Sequence, residues 1–128
     1  SHELTVKIKP DRWNINWWKS EEADNDGDEE DEETIKVIFK GIGYNLIDPS
    51  SVQLEYAGNF TSASSFVNSE LDENDQELVV ELKRADVLNL LADLDLKVGD
   101  TYLLIVHFTL EGTSTTREVS ISIVGKKK

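Results

Sequence analysis

A chain of 128 residues, 38% hydrophobic and 30% charged, suits one domain that buries roughly 65–70% of the surface its unfolded form exposes. It has no Cys, which excludes disulfides, thiolate zinc sites and cysteine nucleophiles, and no apolar run approaches the roughly 20 residues that span a bilayer. The formal charge of −13 is local: residues 21–33 hold ten of the 26 acids, leaving 16 acids against 13 bases, or −3, elsewhere. A body with that balance lacks the basic stripe that nucleic acid or an anionic membrane requires, so neither is expected as a partner.

In chain order, Ser1 and His2 read as the remnant of a cleaved tag, with a single domain over 3–125 and a basic tail at 126–128. Leu4, Val6 and Ile8 alternate with polar residues, the period of a half-buried strand, and Pro10 ends it. Trp13, Ile15 and Trp17 predict a second strand by the same alternation. An acidic insertion at 20–33 follows, then Ile35, Val37 and Phe39 mark a third strand that Gly41 and Gly43 break. Asp48-Pro49-Ser50-Ser51 has turn chemistry, because proline presets φ and the polar side chains bond their own backbone. Val52, Leu54 and Tyr56 then share one strand face.

Residues 59–76 are polar and irregular, anchored by Phe60, Phe66 and Val67. Leu78, Val80 and Leu82 resume the strand period. Val87, Leu88, Leu91 and Leu94 follow helical spacing and predict a short helix over 86–95. Residues 101–110 are apolar on both faces, as in a central strand, and Glu111-Gly112-Thr113 turns the chain into a last strand carrying Val119, Ile121 and Ile123. About seven strands with one short helix predict an all-β, immunoglobulin-like β-sandwich, with a barrel as the other closure the strand count allows.

The order VKIKP, a strand holding Asn14 or Asn16, a strand ending in Gly, and IDPSSVQL resembles a β-sandwich module of bacterial and archaeal secreted and surface proteins. ELVVELKRADVLNLL and the FTLEGTSTTREVSISIV hairpin extend the resemblance over most of residues 4–124. Such modules stand beside dockerin-like, adhesive or carbohydrate-active neighbours. The resemblance implies an extracellular or cell-surface structural, spacer or adhesion module, and it carries over no catalytic residues. Neighbouring domains of the same chain, a polysaccharide or another surface protein are the partners it implies, and the isolated domain is expected to be monomeric.

Two stretches offer ligand chemistry. Placing Gly27 at the sharp turn of a calcium loop puts Glu22, Asp24, Asp26, Asp28, Glu30 and Glu33 at the oxygen-ligand positions. The flanks read as strands rather than the paired helices of that motif, and so dense a run matches the template readily around any glycine. A solvated loop is therefore the leading expectation and a Ca²⁺ site the other. Trp13, Trp17 and Trp18 would form an aromatic platform for a glycan. Period-two placement turns Trp13 and Trp17 inward, however, and leaves Trp18 alone to face outward. His107 lies in the most apolar strand and is expected as a core or interstrand residue, with Glu55, Glu81 and Glu118 solvated on strand surfaces. Asn59-Phe60-Thr61 matches the N-glycosylation acceptor that a eukaryotic secretory route would use. No nucleophile elbow, His–acid pairing or phosphate-cradling glycine loop is legible, so a non-enzymatic module requiring no cofactor is expected.

Overall fold

The computed structural model describes residues 3–18 and 34–125. Among these residues nine strands run in chain order as β1 (Thr5–Lys9), β2 (Arg12–Asn14), β3 (Thr34–Lys40), β4 (Ile47–Tyr56), β5 (Asn59–Phe60), β6 (Phe66–Asp72), β7 (Glu77–Lys83), β8 (Thr101–Leu110) and β9 (Thr113–Val124). The helix α1 (Arg84–Leu88) follows β7 and tightens into a 3-10 turn over Asn89–Leu91. The helical segment thus begins two residues earlier than the leucine spacing indicates and ends at Leu91, short of Leu94 and Asp95.

The strands form two sheets with separate edges, β1-β3-β7-β6 and β2-β9-β8-β4-β5, which resolves sandwich against barrel. The order is that of an immunoglobulin-like sandwich, in which the first strand changes sheets. β1 pairs antiparallel with β3, the chain turns at Pro10, and β2 pairs parallel with β9. The second strand is shorter than its alternation suggests: it stops at Asn14, and residues 15–18 coil into a 3-10 turn. The stretch 59–76, irregular by sequence, supplies β5 and β6 because each finds a ladder partner, on β4 and β7 respectively.

Two tight reversals set the registers. Tyr56 faces Asn59 across Ala57-Gly58, and Leu110 faces Thr113 across Glu111-Gly112. Both central residues have positive φ in each pair (54° and 89°, 53° and 81°), the backbone of the two-residue hairpins that match strand twist. The Asp48-Pro49-Ser50 stretch lies within β4, at a bulge in its pairing with β8. Pro49 has no N–H to give, and a bulge is where a sheet tolerates that. Ser51 Oγ replaces part of the lost ladder: it donates to the Asp48 carbonyl at 2.6 Å and accepts from the Thr109 N–H at 2.8 Å.

The inward residues of both sheets form one continuous core. Ile35, Val37 and Phe39 from β3 and Leu78, Val80 and Leu82 from β7 meet Leu54, Leu104, Val106 and Ile121 of the other sheet. Phe39 and Phe108 bridge the sheets edge-to-face with centroids 4.8 Å apart. Antibody-type sandwiches carry a disulfide between the corresponding pair of strands; this chain, lacking Cys, places an aromatic contact between β3 and β8. Trp13 is fully buried, its indole N–H donating to the Pro10 carbonyl at 2.9 Å.

Candidate functional site

Three surfaces of the described residues present functional side chains: the outer face of each sheet, and the groove where α1 meets the β4–β5 hairpin. Strand alternation points Gln53 and Glu55 of β4, and Leu103, Ile105 and His107 of β8, away from the core. On this face His107 Nε2 lies 2.6 Å from Glu55 Oε1, with side-chain exposures of 26% and 19%. Phe60 of β5 leans on the imidazole, ring centroids 5.0 Å apart, and remains half exposed. His107 is therefore an interstrand residue on the outer surface, beside Gln53 and Thr116, and Glu55 is paired rather than solvated. No sequence signal joins them, because 52 positions separate the two and only the β4–β8 register brings them together.

Phe60 also walls a groove of about 380 Å³ beside the 3-10 turn, with Leu90 and Leu94 as its other apolar sides and Asn59, Asn89 and Asp93 as its polar ones. The groove is built from below: Ser65, fully buried, donates its hydroxyl to Asp86 Oδ2 at 2.8 Å and so ties the loop before β6 to α1. Thr61, 3% exposed, accepts the Leu54 N–H on its hydroxyl at 3.1 Å and donates its own N–H to the Leu54 carbonyl at 3.0 Å. These bonds carry the β4–β5 pairing one residue past β5 and hold the hairpin against the sheet.

The three tryptophans do not form an open platform. Trp13 lies in the core. Trp18 is half-buried against it, rings 6.3 Å apart, and gives its indole N–H to the Leu88 carbonyl at 2.9 Å. Trp17 is half-buried and covered by the Arg84 guanidinium, 4.1 Å from its ring centroid. The outward orientation expected of Trp18 is lost because residues 15–18 coil, so strand alternation no longer applies there. All three indoles serve to pack the segment before the acidic insertion against α1 and the core. The expected calcium ligands Glu22, Asp24, Asp26, Asp28, Glu30 and Glu33 lie outside the described residues. Among the described residues, Asp72, Asp75 and Glu77 bring one carboxylate oxygen each within 4.8 Å of the others at the β6–β7 turn. Asp72 Oδ1 already accepts the backbone N–H groups of Asn74 and Asp75 there, which accounts for that carboxylate as a turn residue.

No protein-family model and no curated protein matches the chain. Among solved structures, the endo-β-1,4-mannanase of Thermotoga petrophila is similar over 97% of this chain at 9% identity and a TM-score of 0.42. This chain spans only 20% of the length of that one. An immunoglobulin domain from the titin and obscurin-like 1 complex is similar over 76% of this chain and 80% of its own, at 12% identity and a TM-score of 0.35.

Proposed function

We propose that the chain is a non-catalytic structural module, a spacer or adhesion unit of a larger secreted or cell-surface protein, placed so that force or distance passes through it end to end. The supporting observation is the direction of its first and last strands. β1 begins opposite Lys40, at the pole where the β8–β9 turn lies, and β9 ends at the other pole beside β2. A pull applied at the two ends shears the parallel β2–β9 pair and its flanking Ser122 N–H to Asp11 carbonyl bond of 2.9 Å, so those bonds are loaded together. The experiment is single-molecule pulling in two geometries. Pulled from residues 4 and 125, the module should rupture cooperatively at high force. Pulled from residue 4 and the Glu111-Gly112 turn, at one pole, it should peel open at clearly lower force. Equal rupture forces in the two geometries would overturn the load-bearing reading.

A further inference from the structure

The outer face of the β1-β3-β7-β6 sheet segregates charge in a way that neither the net charge nor the linear order reveals. Of the 13 Lys and Arg residues, Lys19 and the three at 126–128 lie outside the described residues; four of the remaining nine project from β1 and β3 on this one face. The register sets three cross-strand rows. The first runs Lys9, Lys36, Glu81, Asn68 and the second Lys7, Ile38, Val79, Glu70. The third runs Thr5, Lys40, Glu77, Asp72. Over these three rows positive charge fills the β1–β3 half and negative charge the β7–β6 half, with the half-buried Ile38 and Val79 at the centre; beyond them the exposed Lys83 ends β7 opposite Thr34, the one base on the acidic side. The four lysines are exposed, and among the described residues none lies within 4.0 Å of a carboxylate. Lys9 and Lys36 stand directly opposite each other, an arrangement that costs stability unless an anion approaches.

Such a face is complementary to itself. Turn a second copy over about a two-fold axis parallel to the strands, between β3 and β7, and each row meets the same row reversed. Lys36 then faces the second copy's Glu81, Lys40 its Glu77 and Lys7 its Glu70, each contact occurring twice, as an isologous interface requires. Ile38 meets Val79 at the centre. A two-fold axis across the strands would instead set lysine against lysine, so charge selects one of the two arrangements. Over the lysine half the surface is hollowed, about 540 Å³ lined by Lys7, Lys9, Lys40 and Ile38 together with the carboxylates Asp11 and Glu77; bases outnumber acids there by three to two, and the acidic edge strand β6 of the other copy would enter that hollow.

We propose that this face is a homophilic docking surface and that its occupant is a second copy of this chain, turned about that axis. Strand spacing and rise give roughly 400 Å² of contact per copy, half of the roughly 800 Å² per partner of a standard stable complex, so the contact is weak, salt-sensitive and of use where many copies are held close together. The contact does not depend on the mechanical role, because it is measured on the free protein.

Two charge-reversed chains test it. K7E/K36E/K40E makes the face predominantly acidic, with Lys9 and Lys83 its remaining bases, and E70K/E77K/E81K makes it predominantly basic, with Asp72 its remaining acid. At low ionic strength the wild-type average mass in sedimentation equilibrium should rise as the protein is concentrated from about 10 µM to about 1 mM. Each reversed chain alone, folded by circular dichroism, should stay monomeric, and the two mixed should form a 1:1 pair. Adding I38S and V79S to the mixed pair should weaken it several-fold, which a non-specific attraction of opposite charges would not show. Three results overturn the proposal: a monomeric wild type at about 1 mM, a mixed pair indifferent to Ile38 and Val79, or association that disappears when residues 21–33 are deleted. The last would assign the lysine half to the acidic segment instead.

Discussion

Tyr102, second residue of β8, sets its hydroxyl on Asp100 Oδ2 at 3.2 Å and its ring edge-on to Tyr56, centroids 5.7 Å apart. Burial first, and then the hydrogen bond and charge of Asp100, push its pKa above the ordinary 10.0. The sign of the consequence follows by linkage. With the folded value above the unfolded one, the stability Tyr102 contributes is complete below pH 10.0 and declines as pH rises from there through the folded value. Tyr102→Phe should therefore cost about 0.5–1.5 kcal/mol near neutrality, the worth of the hydrogen bond. It should also flatten the loss of stability above that pH, as urea unfolding at neutral and strongly alkaline pH would show. Identical alkaline slopes in variant and wild type would rule the linkage out. At this scale the sequence is least informative: aspartate and tyrosine two positions apart suggest nothing, and the Glu55–His107 pair is invisible until β4 and β8 align.

At the scale of elements, sheet pairing outweighs local composition. Residues 59–76 are polar enough to read as a loop, yet two strands form there because their backbone groups find partners on β4 and β7. Thr61 tests this. Its hydroxyl satisfies the buried Leu54 N–H, and Thr61→Val keeps the shape while removing the acceptor. A buried N–H left without a partner costs about 1–3 kcal/mol, so Thr61→Val should lower the free energy of unfolding by that amount, read as a lower urea midpoint at unchanged m-value, while Thr61→Ser recovers most of it. Equal stability of the Val variant would mean that the β4–β5 hairpin contributes little to the fold. Conversely, the alternation across Trp13, Ile15 and Trp17 over-extends β2. Beyond Asn14 the chain packs Trp17 and Trp18 under α1, and that tertiary contact replaces the strand pattern.

For the whole molecule, no disulfide ties the two sheets in a chain without Cys, so packing between their inner faces has to hold them together. Phe108 is 2% exposed and its partner Phe39 fully buried, so the contact between them lies at the centre of the core. Phe108→Ala should destabilise by about 3–5 kcal/mol, a large share of the roughly 5–15 kcal/mol that holds a domain folded. A loss below about 1 kcal/mol in urea unfolding would show the two sheets to be joined elsewhere. Charge, too, is decided at this scale. A body totalling −3 reads as featureless in the sequence, yet pairing of β1 with β3 and of β7 with β6 gathers four lysines on one half of a single face and, Lys83 apart, acids on the other.

The class of the fold follows from the order of residues alone, because period-two hydrophobicity needs only one buried face per strand and is the same whatever the partner. Leu78, Val80, Leu82 and Ile35, Val37, Phe39 were legible as core for that reason. The order of residues also determines where charge is concentrated, since the acids of 21–33 are adjacent. Which strands lie side by side is settled only by the packed fold. That choice closes the sheets as a sandwich, brings His107 to Glu55, seats the tryptophans under α1, and divides one face into a basic and an acidic half. Each of these depends on residues far apart in the chain, and strand periodicity carries no information about the register that joins them.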